Sequence, residues 1–223
     1  MMNHSHTRPF CTTIATMIFL VVTTACHARN YTLGMWTISV DKASKQVDIY
    51  STEYGDTPLF ENVSARLWID KSEKPHTSLQ AKKLTVSQTG NCLTLRSTLP
   101  DNTILIQEYI ADGQFLEVSL AATRKGAIIS TNRMEPFHAQ HVNDFMESSP
   151  DNRMLRIPWD NDAWVKFEQY PLTRKMDSFN VTAIFSGSDG NGIIIGAIDH
   201  DTWKNAIHVE ATGDQHVDNL IAI

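Results

Sequence analysis

The chain has 223 residues, of which 42% are hydrophobic and 20% are charged. This composition excludes a disordered chain, because a core of this size can offset the entropy that is lost on ordering. The formal net charge is −6, and Lys and Arg are not clustered. Both features argue against nucleic-acid binding, which requires basic side chains against phosphates.

The first 28 residues predict a signal peptide. Arg8 precedes an apolar run over residues 14–22, and small residues follow up to Ala28. This run is shorter than the roughly 20 apolar residues needed to cross a bilayer. Cleavage after Ala28 would give a secreted or periplasmic protein that begins at Arg29. Cleavage before Cys26 would give a lipoprotein, but the preceding residues lack the Leu with which a lipobox usually begins, so simple secretion is favoured.

Removal of the signal peptide leaves Cys92 as the cysteine of the folded part, so no internal disulfide is expected. Cys92 lies in an alternating apolar and polar stretch, with no neighbouring His or Asp to activate a thiolate. We interpret it as a packing residue.

The rest of the chain, residues 29–223, is predicted to form one all-β domain, a large antiparallel β-sandwich. Short segments with alternating hydrophobicity recur between turn residues, and helical periodicity is scarce. The predicted strands cover residues 31–40, 46–50, 63–70, 84–88, 92–97, 103–110, 115–122, 127–133, 154–157, 164–170, 179–185, 192–198 and 207–210.

Turn residues predict how several strands are connected. Asp112-Gly113 and Thr89-Gly90-Asn91 are each expected to close a hairpin. The apolar run over residues 193–198 does not alternate, which predicts a central strand buried on both faces, with Gly196 at a bend or a close backbone approach. The chain stops within an apparent strand at residues 219–223, so we expect it to be the front part of a longer protein.

The segment from Arg156 to Tyr170 is the richest candidate for a binding site. Trp159 and Trp164 can stack against the apolar faces of sugar rings, while Asp160, Asp162 and nearby amides can bind hydroxyl groups. The same residues also fit an ordinary turn between two strands, with both Trp side chains buried beneath it.

The histidines give weaker indications. His200 lies between Asp199 and Asp201, but adjacent residues of an extended chain point to opposite sides and cannot all bind one ion. His138 and His141 lack the intervening Glu of a metallopeptidase and are expected in a solvated loop. The sequence therefore predicts no metal, no cofactor and no catalytic residue.

Two motifs carry a resemblance to a known family: Ile157-Pro-Trp-Asp-Asn-Asp-Ala-Trp164 and Gly192-Ile-Ile-Ile-Gly-Ala-Ile-Asp-His-Asp-Thr-Trp-Lys204. Together they resemble the N-terminal β-domain of α-galactosidase-like enzymes of Bacteroidetes, which are related to glycoside hydrolase family 36. The resemblance implies a β-supersandwich of the galactose mutarotase type that precedes a catalytic (β/α)8 barrel.

In such enzymes the barrel supplies both catalytic carboxylates, so the resemblance implies that this chain alone is not catalytic. It would support the barrel and lend Trp159, Asp160, Asp162 and Trp164 to a pocket for a galactoside-type glycan.

Two alternatives stay open. The chain could be a stand-alone carbohydrate-binding protein, secreted or lipid-anchored. It could also be a sugar mutarotase, in which His200 with Asp160 or Asp162 performs acid–base chemistry.

Overall fold

A computed structural model describes residues 28–69, 71–158, 167–198, 203–212 and 216–223. These residues form β-strands, every pair of which is antiparallel, and one short 3₁₀ turn at Ser78–Gln80. The prediction of an all-β chain is confirmed. The strands are β1 Arg29–Leu33, β2 Trp36–Asp41, β3 Gln46–Ser51, β4 Phe60–Glu61, β5 Ser64–Ile69, β6 His76–Thr77, β7 Lys83–Thr89, β8 Cys92–Thr98, β9 Ile104–Asp112, β10 Phe115–Thr123, β11 Thr131–Ala139, β12 His141–Val142, β13 Asn152–Arg156, β14 Glu168–Pro171, β15 Met176–Phe179, β16 Val181–Ser186, β17 Gly192–Gly196, β18 Ala206–Ala211 and β19 Val217–Ala222.

The strands form four sheets. Sheet 1 has the order β1-β2-β3-β4-β12, and sheet 2 has the order β10-β9-β8-β7. Sheet 3 has the order β15-β18-β19-β11-β5-β6, and sheet 4 has the order β14-β13-β16-β17. Sheet 2 therefore pairs strands that follow one another along the chain, whereas sheet 3 joins strands from distant parts of it.

Both predicted hairpins are confirmed, and both lie in sheet 2. Thr89 pairs with Cys92 across the first turn, and Asp112 pairs with Phe115 across the second. Gly90 and Gly113 have φ angles of 57° and 58°, in the left-handed region that favours glycine. These turns set the register of β7 with β8 and of β9 with β10.

Alternation within the strands places one face of each sheet in the hydrophobic core. In β9, for example, Leu105, Gln107, Tyr109 and Ala111 are buried, while the alternate residues between them are half-buried. The main core cluster draws side chains from all four sheets, among them Ile38, Leu93, Val209 and Ile184.

Three expectations about strands were wrong. The single strand predicted over residues 31–40 is two strands, β1 and β2, which pair with each other across a turn at Gly34. The run at residues 193–198 is not a central strand, because β17 is at the edge of sheet 4 and the Ile194 side chain is 80% exposed. An apolar run without alternation does not by itself specify two covered faces. In addition, β11 continues to Ala139, beyond the predicted end at residue 133.

No helix in the described part of the chain is long and apolar enough to span a bilayer.

Candidate functional site

The predicted sugar-binding residues Trp159, Asp160, Asp162 and Trp164 lie outside the residues that the structure describes. The strands on either side of them are described. Strands β13 and β14 pair directly, with Arg156 opposite Glu168. The segment with the two Trp residues therefore connects two neighbouring strands of sheet 4.

The second candidate segment, which contains His200, also falls outside the described ranges. The residues on either side of it both form backbone hydrogen bonds with Asn180. The backbone N–H of Ala197 donates to the carbonyl of Asn180 at 2.8 Å, and the N–H of Asn180 donates to the carbonyl of Asn205 at 3.0 Å.

The two candidate segments have neighbouring anchors. The N–H of Phe179, the residue before Asn180, donates to the carbonyl of Ile157 at 2.9 Å. The N–H of Ile157 itself donates to the side chain of Ser178 at 2.8 Å. Hydrogen bonds of the neighbouring residues Phe179 and Asn180 therefore link Ile157, before the first segment, to the residues on either side of the second segment.

A cavity of about 370 Å³ lies next to these anchors. Its lining includes Arg156, the last residue of β13, together with residues at the start of β15 and from β18. The lining residues are Arg156, Arg174, Lys175, Met176, Asp177 and His208. Cationic and hydrogen-bonding side chains thus predominate in the cavity beside Ile157.

Polar side chains pair between β18 and the residues at the start of β15 along one side of this cavity. Asp177 faces His208, with 2.5 Å between Oδ1 and Nδ1, and Lys175 Nζ lies 2.5 Å from Glu210 Oε1. The hydrogen bond from Lys175 is the main cause that lowers the pKa of Glu210 below its usual range. These contacts stabilise the strand pair and leave Arg156 and Arg174 as donors for hydroxyl or anionic groups of a ligand.

Sequence reasoning missed a buried charged network on sheet 3, named here the Glu135 network after its centre. The Glu135 side chain is 1% exposed and lies on β11 opposite Arg66 of β5. Arg133 donates to Glu135 Oε1 from Nε at 3.0 Å and from Nη2 at 2.6 Å. Arg66 Nη1 lies 3.8 Å from Oε2. Two arginines therefore compensate one buried carboxylate.

His138 completes this network and corrects the expectation of a solvated loop. Its side chain is 6% exposed, and Arg66 Nη2 lies 3.0 Å from Nε2. Because a guanidinium can only donate, Nε2 must be the acceptor, which assigns the proton of a neutral imidazole to Nδ1. Nδ1 lies 3.5 Å from Glu135 Oε2, so that contact is mainly electrostatic.

Register shifts in β11 explain why this arrangement was not expected. Shifts occur between Thr131 and Arg133 and between Glu135 and His138. Without the second shift, His138 would point to the other side of the sheet from Glu135. The sequence does contain a signal of this irregularity. Charged residues at positions 133 and 135 stand beside Pro136, and a proline disfavours a regular central strand.

The carboxyl group of Glu135 is ionised in the folded state. Burial raises the pKa, but the polar contact with His138 and the hydrogen bonds and charges of Arg133 and Arg66 outweigh burial. The net result is a pKa below the usual range of a glutamate.

Within the ranges that the structure describes, no three His, Cys, Asp or Glu side chains are grouped so that they could hold a metal ion. Cys92 is a free, half-buried cysteine in β8.

No protein family, curated protein or solved structure was found to match the chain.

Proposed function

We propose that the chain is an exported accessory β-domain of an α-galactosidase-like glycoside hydrolase. It would support a catalytic (β/α)8 barrel that this chain lacks, and it would contribute to the binding of a galactoside-type glycan. The proposal includes a signal peptide over residues 1–28 and a supersandwich arrangement of the four antiparallel sheets.

One observation carries the sugar-binding part of the proposal. The segment with Trp159 and Trp164 connects adjacent strands β13 and β14, and its anchor at Ile157 is a hydrogen-bond neighbour of the anchors of the segment with His200. These are the two segments that carry the resemblance to the hydrolase family. The anchors of both segments lie next to the cavity that Arg156 and Arg174 line, which supports a shared binding surface.

Calorimetric titration of the purified protein with galactose, melibiose and galacto-oligosaccharides tests this proposal. We expect saturable binding that weakens at least about tenfold in Trp159→Ala and in Trp164→Ala, because each substitution removes an aromatic surface for a sugar ring.

Phe115→Ala is a matched control, since Phe115 is an aromatic residue of sheet 2 that is 67% exposed. This variant should bind as the parent does. If a folded protein binds none of these sugars, or if both Trp variants bind unchanged, the sugar-binding role of this segment is wrong.

Binding by the chain alone tests the sugar-binding role of this segment, which the second candidate, a stand-alone carbohydrate-binding protein, shares. The cationic side chains of Arg156, Arg174 and Lys175 favour such a role because residues of this chain alone line the cavity.

A further inference from the structure

A second cavity, of about 510 Å³, lies at the ends of β5 and β11 in sheet 3. It is built from strands other than those that anchor the Trp159 and Trp164 segment. Its lining includes Trp68, Lys71, Glu73, Asn132 and Arg133. An aromatic ring, two cations, a carboxylate and an amide thus share one concave surface, and this combination is typical of sites for polar ligands.

The position of Arg133 is fixed from two sides. Glu135 accepts hydrogen bonds from both Nε and Nη2, and the guanidinium lies over the Trp68 ring, 4.6 Å from its centroid. The backbone at Arg133 is also held in place, because its N–H donates to Thr131 Oγ1 at 3.3 Å where the register of β11 shifts. Arg133 therefore meets a ligand without losing further side-chain freedom.

The hydrogen bonds with Glu135 leave one edge of the Arg133 guanidinium free to bind a ligand. If Arg133 served only to neutralise Glu135, a buried guanidinium would do so best, but its side chain is 46% exposed while that of Glu135 is 1% exposed. Nη1 forms no hydrogen bond with any described residue. The buried carboxylate thus holds one edge of the fork, and the other edge faces the cavity side of the strand.

The charge of this surface favours an anion. Among the described residues, Lys71 and Arg133 line the cavity with one carboxylate, that of Glu73, although the whole chain has a net charge of −6. Arg66 adds a further positive charge next to Glu135. A fixed arginine with a free edge is suited to a planar carboxylate, which it can bind through two parallel hydrogen bonds.

We propose that this cavity binds a carboxylated sugar, such as a uronic acid residue of a glycan. Arg133 and Lys71 hold the carboxylate, and the polar rim with Asn132 and Ser72 receives the hydroxyl groups. The proposal does not depend on the segment with Trp159 and Trp164.

Calorimetric titration of the Trp159→Ala variant, in which the other proposed sugar-binding segment is weakened, with galacturonate, galactose and acetate tests the proposal. Galacturonate should bind at least about tenfold more tightly than galactose, because galactose lacks the group that Arg133 recognises. Acetate should bind at least about tenfold more weakly than galacturonate. Higher salt should weaken the binding of galacturonate, since the site is open to solvent.

Two variants and a matched control make the test specific. Arg133→Gln should remove the preference for galacturonate over galactose, and Lys71→Gln should weaken galacturonate about threefold. Arg124→Gln is the control, because Arg124 is also an arginine in an ion pair, with Asp101, but does not line this cavity.

Lys71 has an exposed side chain outside the Glu135 network, so Lys71→Gln still tests whether the cavity binds galacturonate if Arg133→Gln fails to fold. Equal affinity for galacturonate and galactose, or no binding of either, would overturn the proposal. So would unchanged galacturonate binding in Lys71→Gln. Equal affinity for acetate and galacturonate would show that the sugar is not recognised, which also overturns it.

Discussion

At the scale of single residues, Glu135 shows how a charged side chain is tolerated inside a β-sheet. Its carboxylate is buried between β5 and β11, yet Arg133 and Arg66 approach it from two sides. Removal of one partner from such a group leaves the other charges uncompensated, and the cost is usually larger than the net stabilisation by the intact pair.

We predict that Glu135→Gln lowers the free energy of unfolding by about 3 kcal/mol at pH 7. The folded-state pKa of Glu135 is lowered from its ordinary value of 4.5, so its stabilising contribution is present above that pH. It is lost as the pH falls through the folded-state pKa. The difference between parent and variant should therefore shrink progressively below about pH 4.5.

Urea unfolding at a series of pH values between 7 and 3 measures this difference. Glu117→Gln serves as the control, because Glu117 is an exposed glutamate of β10 and its loss should change stability by less than about 0.5 kcal/mol. A Glu135→Gln variant as stable as the parent at pH 7 would contradict the importance of the network.

At the scale of secondary-structure elements, β17 shows the separate effects of two glycines in one strand. A Cβ atom at Gly192 would lie 2.1 Å from the carbonyl oxygen of Ile184 and 2.7 Å from Cα of Phe185. At Gly196 the nearest atom would be a side-chain methyl group of Val181, at 3.3 Å. The close backbone approach that was expected at Gly196 therefore occurs at Gly192 instead.

We predict that Gly192→Ala lowers the free energy of unfolding by about 2–3 kcal/mol, because backbone atoms of β16 must move to make room. Gly196→Ala, the same substitution in the same strand, should cost less than about 1 kcal/mol. Thermal or urea unfolding of both variants provides the comparison. Equal losses would mean that the pairing of Gly192 with Phe185 is not as close as described.

The elements also show which structural features could be predicted from the sequence. The turns at Gly90 and Gly113 were predicted because a local φ requirement is visible in the residues that meet it. The position of β17 at an edge was not, because an apolar run such as Ile193–Ile195 shows hydrophobicity but not the number of neighbouring strands.

The Glu135 network was missed for a related reason. Its members Arg66, Glu135 and His138 come from two strands that are far apart in the sequence, and a register shift brings His138 to the same face. Neither the pairing of β5 with β11 nor a shift within β11 has a local pattern that could predict it. The predicted residues Trp159 and Trp164 stay a prediction, since they lie outside the described residues.

At the scale of the whole molecule, the proposal of export makes a prediction about the N-terminus. When the gene is expressed in a bacterial host, mass spectrometry of the mature protein should give the mass of a chain that begins at Arg29. Cys26→Ser should leave this mass unchanged. A mature chain that begins at Cys26 with added acyl groups would instead establish the lipoprotein alternative, and an uncleaved chain would contradict the signal peptide.

The order of strands in sheet 3 has a consequence for how the protein folds. Sheet 2 can form as soon as residues 83–123 are available, since each strand pairs with the next one in the chain. In sheet 3, β19 lies between β18 and β11, so β5 and β11 cannot join β15 and β18 until residues 217–222 have been synthesised. A ribosome-bound chain that lacks β19 would expose unpaired strand edges, and a chaperone that delays collapse would therefore benefit this protein more than one built only from successive hairpins.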